Sequence, residues 1–150
     1  MSGADQGVGG WLSQGLLFPS GRQAWKQGQP VQALTGHLFD AVQIAASAVE
    51  NLAGEPGDQG AQRAFRERGV HSAVIADPLG WYYALVPPGT AEGWDGDALC
   101  IGSSHSIAVP APHRTDPPGV HWLLPPPEGE RMLCDAYAVW QLTASEDERQ

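Results

Sequence analysis

The chain has 150 residues, with 8 basic and 17 acidic side chains, a formal charge of −9, 19 Gly, 13 Pro and 42% hydrophobic residues. These values describe an acidic protein of one-domain size and exclude collagen, a coiled coil and a wholly disordered chain. A chain of this length buries roughly 70% of its unfolded surface, enough for one hydrophobic core without disulfide or metal staples.

Residues 1–10 (MSGADQGVGG) contain four glycines and no apolar period, so they read as a flexible tail. They also lack a basic start and an apolar signal core, and no window approaches the ~18 apolar residues of a membrane span. A cytoplasmic protein without membrane association is expected. Order is expected from about Trp11, in a single domain covering 11–144. Residues 11–36 scatter Trp11, Leu16, Leu17, Phe18 and Trp25 among Pro19, Gly21, Gly28 and Pro30, which predicts short strands or irregular chain packed by the tryptophans.

From Leu38 to Leu52 the apolar spacing fits two arrangements. One is a single helix with Phe39, Val42, Ala46, Val49 and Ala53 on one face. The other is a strand over 39–44 followed by a helix over 47–53, with Ser47 and Glu50 spaced as a capping box. Gly54, Pro56 and Gly57 end either arrangement, and residues 59–68 (QGAQRAFRER) predict a second helix closed by Gly69. Arg63, Arg66 and Arg68, with Glu67 among them, read as its solvated face.

From Val70 the pattern turns to short β-rich runs. HSAVIA and WYYALV flank Asp77-Pro78-Leu79-Gly80, whose proline and glycine suit a tight turn, so a hairpin is predicted over 71–86. Further strands are expected at 98–101, 106–109 and 120–123. Residues 131–142 place Leu133, Tyr137 and Trp140 on a helical stripe beside Met132, Ala136 and Val139, a helix expected to close the core. The tail at 145–150 is expected to fray. The fold class is therefore α+β, a mainly antiparallel sheet with flanking helices.

Chemistry-bearing patterns are sparse. Asp95-Gly96-Asp97 has the D-x-D form that can hold a divalent metal, although glycine between the acids suits a solvated turn. Ser103-Ser104-His105 forms a small polar loop that a nucleotide phosphate could meet. His105, His113 and His121 recur every eight residues, a spacing that fits no compact metal motif, and they read as exposed or singly hydrogen-bonded. Cys100 and Cys134 lie outside any CxxC spacing and read as reduced packing residues. No GxSxG, GxGxxG or GxxxxGK[ST] motif occurs. The net charge opposes nonspecific attraction to nucleic acid, which is not an expected partner.

Two segments carry a resemblance: FDAVQIAASAVENL at 39–52, and the run from Ala73 to Trp122 that includes Val86-Pro87-Pro88-Gly89-Thr90, Trp94, Val109-Pro110, Arg114-Thr115, Pro118-Gly119 and Trp122. They resemble a group of small, uncharacterised actinobacterial proteins. The second segment is also similar to the later part of the N-terminal domain of bifunctional DNA primase/polymerases. Such polymerases use a metal-binding D-x-D on one strand and a histidine on a later strand to hold the incoming nucleotide. The matching hairpin here carries Asp77 alone, and Asp95-Asp97 and Ser103-His105 stand only six residues apart. The resemblance therefore implies a shortened, degenerate relative that keeps the framework without the metal centre.

Three functions follow as expectations. The first is a non-catalytic cytoplasmic binding or regulatory module, without a cofactor, that holds a protein partner or small ligand around Trp81, Trp94, His105 and Trp122. The second is a nucleotide-binding protein or enzyme joining Asp77, Asp95, Asp97 and His105. The third is a small-molecule enzyme of specialised metabolism that relies on its pocket aromatics. The oligomeric state stays open.

Overall fold

The turn at Asp77 to Gly80 organises the sheet. In the computed structural model, which describes residues 8–148 apart from Pro19 and Asp97, Gly80 N–H donates to the Asp77 carbonyl at 3.0 Å. Leu79 N–H donates to Asp77 Oδ1 at 2.9 Å, and Gly80 takes a positive φ of 107°. A three-residue connection ending in a positive-φ residue is a standard hairpin closure. It joins β3 (Val74–Asp77) to β4 (Trp81–Val86), so the predicted hairpin is present.

The segment before the hairpin takes the strand-then-helix arrangement. β2 (Asp40–Ala45) pairs antiparallel with β4 along its whole length, from Asp40 opposite Val86 to Ala45 opposite Trp81. β-branched Val42 and Ile44 favour this extended, doubly covered position. The following helix α3 (Ala46–Ala53) has no side-chain cap, because it starts one residue ahead of Ser47 and leaves that hydroxyl inside the first turn; the expected capping box does not form. Gly54 ends it in the left-handed region, as glycine does at this position. Helix α4 (Asp58–Glu67) follows, with Arg63 on its exposed face paired to Glu55 at 3.1 Å and Glu67 at 3.6 Å.

Two further strands complete the main sheet. β5 (Leu99–Ile101) lies beside β2, and β7 (His121–Leu124) lies beside β3, giving the order β5-β2-β4-β3-β7 with every pair antiparallel. A second, two-stranded antiparallel sheet pairs β1 (Val31–Leu34) with β6 (Ser106–Val109). Gly36 sits where the loops of the two sheets meet. Its φ is +90°, and a Cβ there would approach the Ser103 backbone to 2.5 Å, so only glycine allows the contact. The architecture is α+β with an antiparallel sheet and flanking helices.

The chain ends of the domain differ from expectation. Val8–Leu12 form α1, so helical order starts before Trp11, and Gly21–Lys26 form α2 where strands or irregular chain were expected. Both helices are under two turns long, too short to show a period in sequence. Trp25 does pack as expected: it is buried and its Nε1–H donates to the Val109 carbonyl at 3.1 Å. The last helix, α5, spans Ala136–Glu148. It starts after residue 131 because Asp135 Oδ2 accepts from Ala138 N–H at 3.0 Å, the bond of an N-cap, and it continues through residues expected to fray. Residues 1–7 and 149–150 of the expected tails lie outside the described residues.

The core joins both sheets, with Phe39, Ile44, Phe65, Ile75, Leu85, Trp122, Leu124 and Leu142 among its largest buried side chains. Phe65 of α4 meets Tyr82 of β4 edge-on, with ring centroids 5.8 Å apart. Among the described residues, no helix is long and apolar enough to cross a membrane.

Candidate functional site

A groove opens where β4 ends. Pro87, Pro88, Gly89 and Thr90 make a turn in which Thr90 N–H donates to the Pro87 carbonyl at 3.2 Å and Gly89 adopts φ 92°, ψ −10°. Proline followed by a positive-φ glycine is the chemistry of a type II turn. Thr90 Oγ1 reinforces it with a 2.6 Å bond to the same carbonyl. A single 3-10 turn over Thr90–Gly93 follows, and the buried Asp40 at the start of β2 secures it: Asp40 Oδ2 accepts from Ala91 N–H at 2.8 Å. The sheet thus fixes one wall of the groove.

Trp94 continues that wall. Its Nε1–H donates to the Ala98 carbonyl at 2.7 Å, which fixes the orientation of the indole. Gly96 lies against the ring, where a Cβ would come within 3.1 Å of three indole atoms; a side chain there would push the tryptophan away. The opposite wall is α5, contributing Ala136, Tyr137 and Trp140. The rings of Tyr137 and Trp140, three residues apart on one helix face, stack with centroids 6.1 Å apart and planes 12° from parallel. Asp95 bridges the walls, because its Oδ1 accepts from Trp140 Nε1–H at 3.0 Å. The cavity so formed measures about 470 Å³ and is lined by Gly89, Thr90, Gly93, Trp94 and Asp95 facing α5.

Tyr137 is 63% exposed. Of the expected helical stripe, Val139 is buried in the core together with Leu142 and Thr143, and Leu133, which lies before α5, packs against that core, but Tyr137 does not belong to the core face. The aromatic pair lies beside that face, at the rim, where a large ring keeps one side free for a ligand.

A second depression, of about 280 Å³, lies at the opposite end of β4, between Asp77, Pro78, Trp81 and Tyr82 on one side and Asp58, Pro117, Pro118 and His121 on the other. At its centre His121 and Asp58 are engaged with one another. His121 is only 5% exposed; its Nε2 lies 2.8 Å from Asp58 Oδ2 and its Nδ1 2.9 Å from the Gly119 carbonyl. Asp77 caps its own turn. Burial, followed by the charges of Asp58 and Glu50, pushes the Tyr82 hydroxyl up to about 12, so it is neutral near pH 7. His121 is thus a buried joint between β7 and α4 with two bonds, and not an exposed or singly bonded histidine.

The sequence-predicted residues divide among separate places. Trp94 and Asp95 belong to the groove, and Trp81 (36% exposed) and Asp77 to the depression at the other end of β4. The two sets of lining residues share no member. His105 is exposed in the turn before β6 and lines neither. Trp122 is 1% exposed, and its Nε1–H donates to the Pro110 carbonyl at 3.2 Å, so it is a core residue of β7 and no part of a surface. Asp97 lies outside the described residues. Among the described residues, no group of three His, Cys, Asp or Glu side chains lies together in a way that could hold a metal ion.

Cys100 and Cys134 are free thiols. Burial and the neighbouring Asp40 charge push Cys100 up to about 11, and burial pushes Cys134 up to about 12, so neither is a reactive thiolate near pH 7. Compared with known proteins, the chain matches no family model, no curated protein and no solved structure.

Proposed function

We propose that this protein is a non-catalytic cytoplasmic binding or regulatory module that seats a protein partner or small ligand in the groove between the Gly89 to Asp95 segment and α5. The observation that carries this reading is the stacked Tyr137 and Trp140 pair held beside Asp95 at the open rim. A concave site with aromatic walls and one placed polar group has the composition of a ligand site, and Tyr and Trp anchors supply most of the energy of many interfaces. The kinship with the primase/polymerase domain belongs to the same proposal: a shared strand framework with its acids dispersed. Asp77 and Asp95 stand at opposite ends of β4, Asp77 within its own turn and Asp95 beside Trp140.

A fragment screen read by the indole N–H signals of the six tryptophans tests the proposal. Hits are expected to move Trp94 and Trp140 together. Hits that move only Trp81 would transfer the site to the other depression. In a parallel thermal-shift measurement, nucleotides with Mg²⁺ or Mn²⁺ are expected to leave the melting temperature unchanged. Stabilisation by a nucleotide that disappears in Asp95→Ala and His105→Ala would replace this reading with the nucleotide-binding one.

A further inference from the structure

Resting on that binding role, we infer that the groove takes the guanidinium of an arginine side chain presented by a partner peptide. Three features select this chemistry. Asp95 supplies a carboxylate on the groove wall, and its one hydrogen bond among the described residues is the bond to Trp140. A carboxylate offers about four acceptor sites, so most of its capacity is open. The bond to the indole also fixes where that capacity is, since it pins the carboxylate at the edge of the Trp140 ring.

The second feature is the near-parallel pair of Tyr137 and Trp140. A planar cation lies favourably over such rings, and guanidinium combines stacking on an aromatic face with a fork of N–H donors aimed at a carboxylate. An ammonium group fits the charge but lacks the plane. The third feature is the surrounding field. No Lys or Arg lines the groove, Glu92 stands exposed on the Thr90–Gly93 turn, Asp135 is exposed immediately before α5, and the whole chain carries −9. This field attracts a basic segment and repels an acidic one. A volume of about 470 Å³ exceeds one side chain and leaves room for the flanking peptide backbone.

The test uses the full chain and three blocked peptides, Gly-Arg-Gly, its lysine counterpart and its citrulline counterpart, in which a neutral urea replaces the guanidinium. Titrations are followed by the Trp94 and Trp140 indole N–H signals, the latter assigned by its loss in Trp140→Phe. The arginine peptide is expected to bind about tenfold more tightly than the citrulline peptide, with lysine between them. Raising the salt is expected to weaken it. Asp95→Asn keeps an amide oxygen that can accept from Trp140 N–H, so the fold is expected to stand while arginine affinity falls about tenfold. Equal affinity for the arginine and citrulline peptides, or unchanged affinity in Asp95→Asn, overturns the arginine assignment and leaves the groove as a binding site for other ligands. If neither these peptides nor any fragment moves the two signals, the binding role itself fails with it.

Discussion

The two ends of β4 carry similar residue types and use them in opposite ways. At the Trp81 end the polar centre is buried: His121 is bonded to both Asp58 and the Gly119 carbonyl, Tyr82 is covered, and Asp77 caps its own turn. At the Val86 end, Asp95 is exposed and held by Trp140, and Tyr137 shows most of its surface to solvent. A buried histidine with both ring nitrogens bonded stabilises a joint, while an anchored carboxylate at the rim beside an exposed tyrosine ring has interaction capacity left for a ligand. The contrast separates a structural cleft from a binding groove more clearly than volume does.

Alkali is expected to disturb the molecule most, and chiefly away from the groove. Cys134 rises from 9.0 to about 12 and Tyr82 from 10.0 to about 12 on folding, so the folded state holds both protons longer than the unfolded chain does. Stability is therefore full below about pH 9 and is lost as pH climbs towards 12. Urea melts recorded across this range are expected to show that decline, and Tyr82→Phe and Cys134→Ala are each expected to flatten it. A decline of the same steepness in both variants would remove these groups as its cause.

Trp122→Ala is expected to cost about 3–5 kcal/mol, the range for truncating a fully buried large aromatic residue. Trp122→Phe is expected to lose less and to bind ligand normally. A Trp122→Phe protein with full stability and weakened binding would return this residue to the site. His121→Ala, which leaves Asp58 and the Gly119 carbonyl without their partner, is expected to cost about 2 kcal/mol. That loss lowers the melting temperature by about 4–8 °C in a chain of this size. Ligand titration of the same variant is expected to match the parent, because the joint lies at the far end of the strand.

The smallest effect concerns the groove wall. Asp135→Ala removes the N-cap of α5 and is expected to cost about 1 kcal/mol by chemical denaturation. Because the first turns of α5 carry Tyr137 and Trp140, this variant is also expected to weaken binding, unlike His121→Ala. Equal binding in the two variants would erase the distinction between the ends.

Much of this contrast was hidden in the residues. The hairpin was legible because Asp77, Pro78 and Gly80 each have a local backbone reason to turn the chain. The segment at 40–53 was ambiguous because a buried strand and a helix face share the same apolar letters; β-branching at Val42 and Ile44 was the deciding signal. Trp94 and Asp95 stand out in the sequence, whereas Tyr137 and Trp140 fall on an apolar helical stripe that reads as core. Their spacing fixes that they share a helix face, not whether that face is covered, and Asp135 as a cap was the missed clue to where α5 begins. His121 and Asp58 are 63 residues apart and meet only through the packing of α4 against β7, a relation that no local pattern carries.

The account rests on the groove being the site where this protein meets its ligand, and the most direct check is a calorimetric titration of the arginine peptide into Tyr137→Ala and Trp81→Ala. Both side chains are exposed, so both variants are expected to keep the parent stability within about 0.5 kcal/mol. Binding lost in Tyr137→Ala and retained in Trp81→Ala is the predicted result. Binding retained in Tyr137→Ala and lost in Trp81→Ala would contradict it.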